Sequence, residues 1–270
     1  MILLVLVRKR SLRAMKRPGF FILAGLAVIM AGLVLWPFKK GPPEIGSVVK
    51  GLTEKDLPVT GGSRVFRAVA TNTKVVALTF DDGPDPRFTP KVLEVLRRHG
   101  ARATFFVLGS TAEQYPELLK QIAREGHDIG NHGYSHTKLT GLNREQIRAE
   151  IRRTEKSISA ATGNRPVYLR PPFGFYNREV LEAAEELGYT VILWTREADT
   201  RDYARPGSRT IARQAVRNAT AGSIFLFHDG GGDRTQTVLA LDEILQSLTA
   251  KGYRFLTLDQ ILREGAGLEG

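Results

Sequence analysis

"VVALTFDDGPDP", residues 75–86, sets a run of β-forming residues directly before two adjacent acids, a glycine and a proline. Val75–Phe80 reads as a strand buried on both faces, since polar residues do not alternate along it. Asp81 and Asp82 then fall at the strand's carboxyl end, where Asp-Gly-Pro supplies turn chemistry. Neighbouring carboxylates repel each other and resist burial. Their placement implies that something keeps at least one of them ionised.

Outward from this stretch, apolar strand candidates recur at 102–108, 128–131, 166–170, 189–194, 223–228 and 253–257, with a short edge strand near Val65. Helical patterns separate them: 89–100, a single run over 111–126, 143–163 with Asn143 as N-cap and Gly163 as C-cap, 177–188, 207–220 and 235–251. Regular β–α alternation predicts an α/β domain on a mainly parallel sheet, which either a doubly wound sheet or a closed barrel satisfies. There is no internal repeat and no low-complexity segment.

Parallel α/β folds bind ligands at the carboxyl ends of their strands. The polar residues gather at those ends: Asp81 and Asp82; His132 and His136 in "NHGYSH"; Arg170 in "RPPFG"; Asp199 and Asp202 in "EADTRDY"; His228 and Asp229 in "HDGGGD". Three of the five histidines lie there. His132 and His136 have i, i+4 spacing, which lets two imidazoles face one point. One aspartate added to them makes a three-ligand site with a position open to water, the pattern of catalytic zinc. The other acid is left to handle protons. A free aspartate, at about 3.9, is a weak base for a metal-acidified water near 7, so it must accept the proton as attack proceeds. His228 is the candidate acid, with Asp199 as the anionic partner that raises its pKa.

The net charge of +11 does not indicate nucleic acid. Eight of the 39 cations lie in residues 1–40, which contain no acid, leaving 31 against 28 acids in the remainder. The eight flank "FFILAGLAVIMAGLVLWPF", residues 20–38, an uncharged run that spans roughly 28 Å as a helix, near the bilayer core's about 30 Å. Six cations precede it and two follow, which places the N-terminus in the cytoplasm and the rest of the chain outside. A cleaved signal peptide is the competing reading, but the run is long and no A-x-A site follows. Cysteine is absent, so there is neither a disulfide nor a thiolate ligand.

Taken together, "TFDDGP", "HGYSH", "RPPFG", "DTRDY" and "LFHD" resemble the five motifs of the polysaccharide deacetylase family, the NodB-homology domain of carbohydrate esterase family 4, in family order. The resemblance implies a deformed (β/α)7–8 barrel and metal-dependent removal of acetyl from N-acetyl sugars. It makes Asp81 the general base and Asp82, His132 and His136 the ligands of a divalent metal, zinc foremost and cobalt next. Arg170 would orient Asp81, and His228 would be the acid, tuned by Asp199. The Phe173 backbone amide would face the oxyanion; Leu226, with Trp194 or Tyr203, would line the acetyl pocket. Two departures stand out. Gly133 replaces the usual Ser or Thr after the first metal histidine, which loosens the ligand loop. "TREA" between Trp194 and Asp199 reads as a two-residue insertion, so Glu197 competes with Asp199 as partner of His228.

The implied organisation is a cytoplasmic basic segment (1–19), a transmembrane helix (20–38), a stalk (39–70), the NodB-homology domain (71–264) and a tail (265–270). The expected protein is a single-pass, membrane-tethered monomer with an extracytoplasmic domain, or a secreted one if the segment is cleaved. Its expected substrate is peptidoglycan or a chitin-type oligosaccharide, N-acetylglucosamine or N-acetylmuramic acid. A non-catalytic glycan-binding protein on the same fold is the alternative. A glycosidase needs two carboxylates about 5–9.5 Å apart across the scissile bond, which adjacent aspartates fit poorly.

Overall fold

The computed structural model describes residues 65–267 of the 270-residue chain. The basic segment, the apolar run 20–38, residues 39–64 of the stalk and the last three residues lie outside it. Among the described residues, no helix is long and apolar enough to cross a membrane.

Eight strands form one sheet: β1 (Val65–Phe66), β2 (Val75–Asp81), β3 (Thr104–Val107), β4 (Asp128–Asn131), β5 (Tyr168–Leu169), β6 (Thr190–Ile192), β7 (Ser223–His228) and β8 (Arg254–Leu256). Their order is β1-β6-β5-β4-β3-β2-β7, with β8 pairing β2 as well, and every ladder is parallel. The two edges approach through single contacts. Ala68 bridges Ser223, Asp199 bridges Leu226, and the Thr195 N–H donates to the Ile224 carbonyl at 3.0 Å. The expected barrel is therefore a curled sheet without a closing ladder. Strands as short as β1, β5 and β6 leave too little backbone for one.

Helices α1 (Thr89–Arg98), α2 (Gly109–Gln114), α3 (Pro116–Arg124), α4 (Arg144–Thr162), α5 (Arg178–Glu186), α6 (Ser208–Asn218), α7 (Thr235–Ala250) and α8 (Leu258–Gly265) connect and flank the strands. Asn143 and Gln146 form the capping box of α4, and Gly163 closes it at φ 76°. The helix expected over 111–126 is broken at Tyr115 because Pro116 disfavours a helical residue before it. The α8 helix was not anticipated; its signal is the Thr257–Gln260 capping box.

All seven residues of β2 are buried. Val76, Leu78 and Phe80 pack under the helices with Leu93, Leu96 and Ile244, while Val75 and Ala77 face Phe106, Ile192 and Ile224. Strand alternation therefore turns Thr79 and Asp81 toward the second, inner face. The β2–β7 register sets Asp81 directly opposite His228. Phe80 stacks on Phe105 at 5.1 Å and on Phe227 at 5.6 Å, fixing the strand beneath the site. Phe105→Ala is expected to cost about 3–5 kcal/mol in chemical denaturation. An unchanged pH profile of the folded fraction would show that the loss lies in the core.

Candidate active site

Asp82 ends the strand's alternation. At φ 71° it turns its carboxylate away from the direction that continued pleating would give. Gly83 follows because a Cβ there would lie 2.4 Å from the Asp229 carboxylate. Asp229 is itself buried, and that burial pushes its carboxyl up to about 7, although Thr89 Oγ1 donates to it at 2.5 Å.

Asp82, His132 and His136 converge. His132 Nε2 lies 3.4 Å and His136 Nε2 3.2 Å from Asp82 Oδ1, and one ligand atom from each residue falls within 4.8 Å of the others. His132 Nδ1 donates to the Arg170 carbonyl at 2.7 Å, which commits Nε2 to the cluster. Asp82 Oδ1 is buried and accepts no hydrogen bond. A buried, unpartnered carboxylate oxygen between two imidazole nitrogens is the donor set that a divalent cation fits.

The electrostatics agree. Burial opposes ionisation of Asp82, yet the close approach of the His132 imidazole, together with His228 and His136, holds it well below the usual carboxylate range. Burial, with His132 and His228, lowers His136 against the pull of Asp82 and Asp81, favouring the neutral ring that ligation needs. His132 is raised: Asp81 and Asp82 outweigh its burial. A cation would take the place of that proton.

Asp81 sits beside the cluster, its Oδ2 3.7 Å from His132 Nε2. Arg170, wholly buried, donates from Nη1 to Asp81 Oδ1 and to Thr79 Oγ1, each at 2.7 Å. Its Nε and Nη2 reach the carbonyls of Ile192 and Leu193, and its guanidinium lies 4.0 Å over the Phe106 ring. The expected Arg170–Asp81 contact is thus formed.

The expected partner of His228 is not. Asp202 Oδ1 accepts from His228 Nδ1 at 2.7 Å, and Oδ2 accepts from the His228 backbone N–H and Thr237 Oγ1, each at 2.8 Å. Asp199 instead bridges Leu226 through its backbone and accepts from the Arg201 N–H. Arg201, left-handed at φ 52°, then swings Asp202 inward, where it is buried. Neither Asp199 nor Glu197 fills the role; the "TREA" spacing misled the alignment of this motif by three positions. Burial lowers His228, but Asp202, then Asp81 and Asp82, win and raise it.

A cavity of about 430 Å³ joins Asp81, Asp82, His132, His136, Phe173, Phe175, Trp194, Asp199, Tyr203, Leu226 and His228. Ten of the eleven sequence-derived site residues therefore share one space, with Phe175 as an addition; the eleventh, Arg170, lies behind Asp81. Phe173 stands at φ 62° with its ring 4.5 Å from that of His136, and the Tyr203 ring is 5.7 Å from that of His228.

Glu150 on α4 was not singled out from sequence. Its Oε2 accepts from the Tyr134 and Ser135 N–H groups at 2.8 and 2.9 Å, and its Oε1 from Ser135 Oγ at 2.9 Å. These bonds clamp the loop between the two histidines. Gly133, at φ 78°, leaves 3.5 Å between a would-be Cβ and the same carboxylate. The loop that Gly133 was expected to loosen is therefore held from α4. Glu150→Ala is expected to weaken zinc affinity about tenfold by titration of the metal-free protein, with Glu150→Gln recovering part of it. Equal affinity in all three proteins would exclude the clamp.

Residues 68–192 match the family described as polysaccharide deacetylase. A peptidoglycan-N-acetylglucosamine deacetylase of Bacillus cereus is 43% identical over 212 residues, covering 78% of this chain and 98% of that protein. The peptidoglycan-N-acetylmuramic acid deacetylase PdaA of Bacillus subtilis is 33% identical over 235 residues, 85% of this chain and 86% of that one. A crystal structure of a peptidoglycan N-acetylglucosamine deacetylase aligns with TM-score 0.70 at 40% identity, over 73% of this chain and 92% of that one. A carbohydrate esterase family 4 pseudoenzyme from Bacillus anthracis aligns with TM-score 0.69 at 28% identity, over 74% and 69%. With its motifs in order, its curled parallel sheet and these relatives, the chain belongs to the polysaccharide deacetylase family, carbohydrate esterase family 4.

Proposed function

We propose that this enzyme is a metal-dependent N-deacetylase of an extracytoplasmic glycan, with the N-acetylglucosamine of peptidoglycan as its first substrate. The observation that carries the proposal is the unpartnered Asp82 Oδ1 between His132 and His136, with Asp81 and His228 facing the same cavity. Zinc, with cobalt as substitute, suits two imidazoles and a carboxylate. Asp82, His132 and His136 would hold such a cation, which would supply Lewis-acid polarisation of the amide carbonyl and a more acidic water.

The protein's own groups do the rest. Asp81, tethered through Oδ1 to Arg170, holds the water and accepts its proton as the new C–O bond forms. The Phe173 backbone N–H faces the oxygen that gains charge. His228, its Nδ1 committed to Asp202, protonates the sugar nitrogen as the C–N bond breaks, leaving acetate and a free amine. Leu226, Trp194 and Tyr203 bound the space for the acetyl methyl. Residues 20–38 tether the domain to the membrane as a single-pass anchor, and the segment before the sheet lets it reach the wall. An intact ligand set and both proton-transfer groups speak against a non-catalytic glycan binder.

Asp82→Ala and His132→Ala are each expected to lose bound metal and acetate release together. Asp81→Asn is expected to keep the metal while turnover falls about 10²–10⁴-fold; a metal-free Asp81→Asn protein would mean that the two aspartates have exchanged roles. Asp202→Asn removes the largest influence that raises His228. An acid is lost as pH rises through its pKa, so the alkaline limb of the rate profile should move to lower pH. An unmoved limb would take His228 out of the acid role. Acetate release from purified peptidoglycan and from chitooligosaccharides, with de-N-acetylated peptidoglycan as the blank, tests the substrate: no release from either glycan above the blank would contradict the proposal.

A further inference from the structure

Among the described residues, four large apolar side chains are strongly exposed: Phe173 (54%), Phe175 (51%), Tyr203 (51%) and Leu239 (63%). Three of these four line the catalytic cavity. Apolar surface gathered around a polar cavity marks ground that a ligand covers. Phe173 and Tyr203 stand against His136 and His228 and belong to the reacting centre. Phe175 lies one step further out. Its ring neighbour is Phe173, at 6.5 Å, and Lys138 Nζ sits 4.4 Å from its centroid. Lys138 is exposed and forms no ion pair among the described residues. The ring holds the ammonium beside the cavity mouth, and with no acidic partner among the described residues it can take one from a ligand.

We propose that Phe175 and Lys138 form a subsite for the sugar adjoining the one deacetylated. The ring packs on the apolar face of that pyranose, and the ammonium pairs with a carboxylate carried on its substituent. The subsite therefore selects a muramyl neighbour over plain N-acetylglucosamine. This rests on the glycan deacetylase reading above and narrows its substrate. The carboxylate has two sources, the free lactyl group or the end of a stem peptide, and both present the same charge to Lys138.

The test uses the full-length, zinc-loaded protein in detergent and three tetrasaccharides: N-acetylglucosamine–muramic acid repeats with free lactyl carboxylates, the same with stem peptides, and chitotetraose. Wild type should favour at least one muramyl tetrasaccharide over chitotetraose, and the favoured arm identifies the source of the carboxylate. Lys138→Ala should cut that preference about fivefold. Phe175→Ala should raise KM about tenfold on every arm with kcat kept, and Phe175→Trp should restore it. Calorimetric binding to the Asp81→Asn protein reads the same preference without turnover. Calorimetric preference intact in the Lys138→Ala background, or a Phe175→Ala loss confined to kcat, would overturn the subsite. Absence of acetate release with the binding preference present would overturn the deacetylase reading and leave the subsite standing.

Discussion

Arg170 holds the site together. Its guanidinium fixes Asp81, and its backbone carbonyl fixes His132 through Nδ1. One residue just past β5 thereby fixes two side chains of the site, Asp81 at the end of β2 and His132 just past β4. The arrangement is costly. Arg170 is wholly buried, and burial pulls its pKa down against the attraction of Asp81. Buried ion pairs of this kind contribute little net stability, but removing one partner strands a charge, at about 3–5 kcal/mol. The pair is offset here by two further carbonyl contacts, Thr79 Oγ1 and the faces of Phe106 and Trp194. Such an investment is understandable where a carboxylate has to be aimed, because placement errors of an ångström are expensive in catalysis.

Around this pair the molecule alternates between rigid and unusual backbone. The strands deliver Asp81 and His228 by pleat and register alone. Asp82, His136, Phe173 and Arg201 all need positive φ although none is glycine. Strained positions of this kind persist only where surrounding contacts over-determine them, and they gather at functional sites. Here the over-determination is visible: Gly83 against Asp229, the Glu150 clamp on the histidine loop, and Trp194 against Gly174.

Much of this was legible in the sequence, for physical reasons. Buried parallel strands are continuous apolar runs, so β2, β3 and β7 stood out, and the polar residues at the ends of β2 and β7 could only be site residues or caps. Motif order identified the family and brought Asp81, Asp82, His132, His136 and His228 together. The failures have physical causes too. Asp202 was passed over for Asp199 because a left-handed turn at Arg201, invisible to residue spacing, decides which acid points inward. Glu150 acts from a distant helix on backbone amides, which leaves no local motif. Phe175 and Lys138 meet only because two loops fold side by side.

Anomalous diffraction at the zinc edge, on crystals of the zinc-loaded protein, asks most directly whether three side chains share one cation. The expected result is a single peak about 2.0–2.2 Å from Asp82 Oδ1, His132 Nε2 and His136 Nε2, with Asp81 outside the inner coordination sphere. A peak ligated by Asp81 in place of Asp82, or by only one of the two imidazoles, would contradict it.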